Sequence, residues 1–107
     1  MDFIPFDDRD GYIWMDGEFR AWRDAKVHVL THGLHYASCV FEGERSYGGK
    51  VFRSLDHTRR LENSARILDF ELPFTVEQIE DAKAEALEKA GLESAYVRVV
   101  AWRGAEK

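Results

Sequence analysis

Apolar and polar positions alternate through the first half of the chain, then shift to a spacing of three and four. Tyr12-Ile13-Trp14-Met15 and Glu18-Phe19-Arg20-Ala21-Trp22 are short aromatic-rich runs joined by Asp16-Gly17. That dipeptide tolerates the positive φ angles of a two-residue hairpin turn. Lys26-Val27-His28-Val29-Leu30 is a third run of strand character. A second hairpin is predicted over residues 40–53, turning at Gly48-Gly49. From Ser54, a potential helix cap, Asp56 falls in the first turn of a helix whose buried stripe is Leu61, Ala65 and Leu68. Leu72-Pro73 stops it. Thr75-Val76-Glu77-Gln78 reads as a capping box opening a second helix. Its inward positions are Ile79, Ala82, Ala86, Leu87 and Ala90, and Gly91 closes it, which puts Lys83 and Lys89 on its polar face. A last strand spans residues 95–103, with Tyr96, Arg98, Val100 and Trp102 on one face and Val97, Val99, Ala101 and Arg103 on the other.

The order is strands, helix, helix, strand. It predicts an α+β fold, a mostly antiparallel sheet with two helices packed on one face. Residues 1–11 read as a flexible lead-in and 12–104 as the domain, which at 107 residues in all is a single one. A chain that is 45% hydrophobic and 33% charged has enough apolar content for a core. Its 20 acidic residues against 15 basic argue against general nucleic-acid binding. No stretch approaches the roughly 18–20 apolar residues of a membrane span, and the acidic start does not read as a secretory signal. The lone cysteine, Cys39, excludes an intrachain disulfide and points to a reducing compartment. A cytoplasmic domain is expected, without nucleic acid or membrane among its partners.

Four groups of residues could carry chemistry. On a continuous helix His28, His32, His35 and Cys39 would share a face and could grip zinc, but His28 lies in a strand-like run and Gly33 interrupts the spacing. No metal site is expected. Cys39 beside His35 or His57 could pair as nucleophile and base, but no third orienting group stands at a telling position. Arg59 and Arg60 point about 100° apart on a helix. Arg60 lies at the edge of the apolar stripe, where it either pairs with Asp56 or Glu62 on the surface or reaches an anion at the sheet–helix boundary. Arg98, between Tyr96 and Val100 on one strand face, either meets an acidic partner within the fold or lines a cavity that takes an anion.

The stretch His32-Gly33-Leu34-His35-Tyr36-Ala37-Ser38-Cys39-Val40-Phe41-Glu42-Gly43-Glu44-Arg45 resembles the H-x-L-H-Y-x-x-x-V-F-E-G-x-R segment of branched-chain amino acid aminotransferases. These are the fold-type IV enzymes that use pyridoxal 5'-phosphate. Val51-Phe52-Arg53, the run His57-Thr58-Arg59-Arg60-Leu61-Glu62-Asn63-Ser64-Ala65 and Ser94-Ala95-Tyr96-Val97-Arg98 resemble the family's later segments in the same order. The resemblance starts near residue 12 and implies the small N-terminal domain of that fold. It implies that Arg60 binds the cofactor phosphate. Tyr36, Phe41, Gly43 and Arg98 would bind substrate. Tyr36 would reach a neighbouring subunit's site, and Arg98 would let one pocket take glutamate's side-chain carboxylate as well as an aliphatic side chain. His35 and Cys39 become structural.

Two departures from the family pattern carry expectations. Glu44 stands where an apolar residue is common and is expected to face solvent. Val99 follows Arg98 where proline is common, which should make the strand more regular. Lys26, Lys50, Lys83, Lys89 and Lys107 do not match the lysine that holds the family's cofactor and moves the α-proton, so no catalytic residue is assigned. That lysine belongs to a larger C-terminal domain outside this chain, with residues 105–107 starting the linker, and the chain alone is expected to be inactive. The resemblance thus implies part of a homo-oligomeric enzyme that moves the amino group of leucine, isoleucine or valine to 2-oxoglutarate, its partners being amino acids and 2-oxo acids. The competing readings are a D-amino acid aminotransferase or aminodeoxychorismate lyase of the same fold, or a non-catalytic binding or assembly module.

Overall fold

The computed structural model describes residues 3–106, so what the sequence implies for residues 1, 2 and 107 lies outside the described residues. The first hairpin pairs β1 (Tyr12–Met15) with β2 (Glu18–Ala21), Met15 opposite Glu18. Asp16 and Gly17 both take positive φ, 53° and 92°, as a tight turn matched to strand twist requires. The chain then makes a 3-10 turn over Trp22–Asp24, ending the strand one residue before the sequence predicts. Arg23 ties the lead-in down through ion pairs to Asp8 and Asp10.

The predicted strand at residues 26–30 does not form. A strand needs a neighbour for its amides and carbonyls, and here local partners take them instead. Leu30 N–H donates to His28 Nδ1, Thr31 N–H donates to the His28 carbonyl, and His35 Nε2 donates to the Val29 carbonyl. A short helix absent from the sequence reading follows, α1 (His32–Tyr36), closed by Ala37 at φ 56°. Its first two amides donate to the carbonyls of Gly104 and Arg103, so the far end of the chain completes it. A Cβ on Gly33 would sit 3.1 Å from Trp102, hence the small residue there.

β3 (Cys39–Tyr47) is the centre of a three-stranded antiparallel sheet, flanked by β4 (Lys50–Val51) and β5 (Ala95–Trp102). Two consecutive positive-φ glycines, Gly48 and Gly49, make the β3–β4 turn. β5 pairs with β3 without a break from Ala95 to Trp102, Val99 included, as the missing proline predicts.

α2 (Ser54–Ile67) and α3 (Val76–Ala90) cover one face of this sheet, and the first hairpin packs against α3. The α+β class holds, with the strands divided between two sheets. Ser54 is not the cap: Arg53 holds that position at φ 53°, and Ser54 opens the helix. α2 also ends earlier than Leu72-Pro73. Asp69, at φ 63°, turns the chain, and Phe70 N–H reaches back to the Ala65 carbonyl. Leu61 and Ala65 are buried, whereas Leu68, past the helix end, is exposed.

The capping box of α3 is present in both directions, and Gly91 closes the helix at φ 67°. Ile79, Ala82 and Leu87 point inward, Ala86 is half-buried and Ala90 is exposed. Met15, Leu61, Ala65, Ile79, Ala82 and Leu87 form the apolar core. Around them the layer is polar. Glu42, Glu44 and Ser46 all turn from β3 toward the helices and are buried. Glu44 therefore does not face solvent, and Lys83 does not lie on a polar helix face. Each is buried because the other is there, with Lys83 Nζ 2.6 Å from Glu44 Oε1.

Candidate functional site

Alternation along β3 divides the residues that the sequence singles out. Odd-numbered positions, Phe41 and Gly43 among them, stand on the sheet face opposite α2 and α3, while Glu42 and Glu44 point into the helix layer. Opposite, β5 presents Tyr96, Arg98 and Val100 on the same open face, with Gly43 paired to Arg98 and Phe41 to Val100.

The two long side chains of β5 lean the same way, across the sheet and onto the diagonal neighbour. The Arg98 guanidinium lies 4.0 Å from the centre of the Phe41 ring. Tyr96 lies over Gly43, where an added Cβ would come within 2.6 Å of its hydroxyl and 3.3 Å of its ring. Gly43 is therefore required for the room it leaves, and its backbone lies outside the positive-φ region. Arg98 is exposed, and no carboxylate pairs with it among the described residues. Of the two possibilities the sequence leaves open, an internal acidic partner is the one this structure lacks.

Arg60 is on the other side of β3. Its Nε donates to Glu42 Oε2 at 2.8 Å and its Nη2 to Glu42 Oε1 at 2.7 Å, a forked pair. Neither Asp56 nor Glu62 takes that role: Asp56 pairs with Arg53. Glu42 is 4% exposed and the Arg60 side chain 67%, so the guanidinium sits at the mouth of the sheet–helix layer, anchored on its inner edge. His57 Nδ1 approaches Glu42 Oε1 at 2.6 Å. The hydrogen bonds from Arg60 hold the Glu42 carboxyl below its ordinary range against the opposing effect of burial, and His57 adds to this. An ionised Glu42 makes His57 Nδ1 the donor. Two shallow, open hollows lie elsewhere, one along α3 beside Trp14 and Phe74, the other at Phe3, Asp8 and Arg23.

Deeper in the layer, Lys83 Nζ donates to Glu44 Oε1, to Thr58 Oγ1 at 2.8 Å and to the Ser54 carbonyl at 3.2 Å. Burial pushes the Glu44 carboxyl up more than Lys83 brings it down. Burial acts likewise on Glu80, but hydrogen bonds from Thr58 and Ser54 and the charge of Lys83 hold it below its ordinary range.

The histidine–cysteine series does not converge. His28 accepts from Leu30 N–H, His32 is bonded to Ser38, His35 to the Val29 carbonyl, and Cys39 is exposed. Among the described residues no group of three potential ligands comes together. Tyr36 is 73% exposed at the end of α1, its ring beside those of His32 and His35. The sequence reading passes over Tyr96, Glu42 and the Glu44–Lys83 pair. Tyr96 had a signal, a large residue sharing a face with Arg98 across from a glycine.

The family model described as amino-transferase class IV matches residues 39–107. The chain is 48% identical over 103 residues to a branched-chain-amino-acid aminotransferase of Pseudomonas aeruginosa, covering 92% of this chain and 34% of that protein. It is 42% identical over 97 residues to the Escherichia coli protein of the same name, covering 87% of this chain and 31% of that one. Among solved structures it is similar to the T.th. branched-chain amino acid aminotransferase complexed with N-(5'-phosphopyridoxyl)-L-glutamate. The TM-score there is 0.87 at 42% identity, over 92% of this chain and 35% of that one. The Escherichia coli enzyme gives 0.85 at 41% identity, over 90% and 34%. The chain thus spans about a third of the length of the relatives it matches. With a family match over more than half of its residues, and with the strands that carry Gly43 and Arg98 inside that match, this chain belongs to the class IV aminotransferases.

Proposed function

We propose that this chain is the N-terminal part of a branched-chain amino acid aminotransferase and supplies one wall of its substrate pocket. The observation that carries the reading is Arg98 stacked on Phe41, on an open face with no acidic partner within the described residues. A guanidinium whose flat face rests on a ring keeps its N–H edge free. Phe41, Tyr96 and Val100 offer apolar surface to a leucine, isoleucine or valine side chain and exclude water from it. The edge of Arg98 then takes the side-chain carboxylate of glutamate or the matching carboxylate of 2-oxoglutarate. One pocket thereby serves both half-reactions.

Arg60 fits the phosphate of pyridoxal 5'-phosphate in one respect: it is an exposed guanidinium with an anchored inner edge and an Nη1 without a partner among the described residues. The cofactor, when bound, supplies the electron sink that draws charge from the amino acid's α-carbon. The part of this chain is to hold the phosphate end through Arg60 and to seat the substrate side chain. Residues 12–104 are then a small substrate domain, and the lysine that moves the α-proton comes from sequence beyond it. Leu30, Leu34 and Tyr36 are each exposed, and exposed apolar side chains are what subunit and domain contacts cover.

The test is Arg98→Gln in the full-length protein, with kcat/KM measured separately for leucine and for 2-oxoglutarate. A hydrogen-bonded charge is lost for one partner only, so the 2-oxoglutarate value should fall about 10- to 100-fold. Leucine should be affected far less. Equal losses for both, or none, refute the assignment of Arg98. Absence of leucine turnover in the unaltered protein refutes the function itself.

A further inference from the structure

β3 carries Glu42 into the layer between sheet and helix, where a carboxylate gives up solvation and needs donors in return. Among the described residues its donors come from one helix face. His57 and Arg60 are three residues apart on α2 and so stand side by side. Together they give Glu42 three hydrogen bonds, two from Arg60 and one from His57. The clamp fixes the plane of a guanidinium that sits at the end of a long, freely rotating side chain, and it occupies only Nε and Nη2. What remains presented outward is the edge bearing Nη1.

We propose that Glu42 is a positioning residue: it holds Arg60 so that the free edge of its guanidinium meets a phosphate monoester, and His57 braces Glu42 in turn. This rests on the reading of Arg60 as the arginine of the cofactor phosphate. Two effects oppose each other here. A nearby carboxylate weakens the attraction of Arg60 for an anion, while a fixed fork loses less freedom on binding one. Donation from His57 reduces the first effect, and the forked geometry favours the second.

The test compares the affinities of pyridoxal 5'-phosphate and pyridoxal for the cofactor-free, full-length protein by absorbance titration. No turnover is involved. The ratio of the two dissociation constants isolates the phosphate contribution. In Glu42→Gln, the side-chain NH2 group would face a donor of Arg60 and open the fork. That variant should bind the phosphorylated form about tenfold more weakly, the size of loss seen when the partner orienting a metal ligand is removed. Its affinity for pyridoxal should be unchanged. His57→Phe, which leaves the fork in place, should show a smaller loss confined to the phosphorylated form, and it serves if Glu42→Gln does not fold. Tighter binding of the phosphorylated form in Glu42→Gln would mean that charge outweighs orientation and would overturn the proposal. An equal loss for both ligands would assign Glu42 a structural role and also overturn it. Arg60→Ala separates the two levels. If it leaves the ratio unchanged, the reading of Arg60 fails. If it collapses the ratio while Glu42→Gln does not, only the positioning role fails.

Discussion

Lys83→Met removes a buried charge while keeping most of the side chain's length and apolar stem. In the native layer Lys83 Nζ is 2.6 Å from Glu44 Oε1, and the two side chains are 4% and 0% exposed. Glu44 Oε2 already lacks a hydrogen-bond partner among the described residues, so Lys83 is the group that makes an ionised Glu44 tolerable. Removing one member of a buried pair costs about 3–5 kcal/mol, because the other is left as an uncompensated charge. A domain has only about 5–15 kcal/mol in total, so roughly a fifth or more of the stability should go. Urea unfolding of the chain, followed by tryptophan fluorescence, should show the midpoint falling by about 2–3 M for a slope near 1.5 kcal/mol/M. The double variant Lys83→Met/Glu44→Leu should recover most of the loss, since two apolar side chains can replace a buried pair at little cost.

The loss should also depend on pH in a defined direction. Burial holds the folded-state value of Glu44 above its unfolded value. The stability tied to its protonation is therefore complete below the unfolded value and vanishes as pH rises through the folded one. Deleting Lys83 takes away a group that lowers that folded value, so the window widens upward. The gap between Lys83→Met and the parent should narrow as pH drops from about 8 toward 5. A variant as stable as the parent at neutral pH, or a gap independent of pH, would show that the pair does not bear on folding as its burial implies.

Other substitutions probe separate links. Thr75→Ala removes the side-chain acceptor of the α3 capping box and should cost about 1 kcal/mol in the same urea experiment, with helix content otherwise kept. Gly43→Ala should leave the fold intact, because no positive φ is at stake, but it should displace the Tyr96 ring from the sheet. Altered near-UV circular dichroism, together with a raised KM for leucine in the full-length protein, would show that displacement. An unchanged spectrum and KM would contradict the role given to the glycine.

The hairpin turns, the capping box, the Gly91 stop and the in-and-out pattern of β5 were all legible without coordinates. Each is fixed by the φ preference of one or two residues or by hydrogen bonds spanning a few positions, so nearby sequence carries the whole cause. Residues 26–30 mislead because strand character needs a partner edge, and none of the sheets extends to them. The shared open face of Phe41, Gly43 and Arg98 also needed the β3–β5 register, which runs from Ser46 opposite Ala95 to Cys39 opposite Trp102 and so joins distant parts of the chain.

Charge was where local reading failed. Glu42, Glu44 and Lys83 look like surface residues by type, and helical spacing places Lys83 among polar neighbours. Whether a charge is buried depends on a counter-charge being within reach, and Glu44 and Lys83 are 39 residues apart in the chain. Only packing α2 and α3 onto β3 brings such groups together in a layer where each is stable because of the other. The sequence by itself determined the two hairpin turns, the start and stop of α3 and the two faces of β5. The tertiary structure decided which charges those faces enclose and which way Arg60 is held.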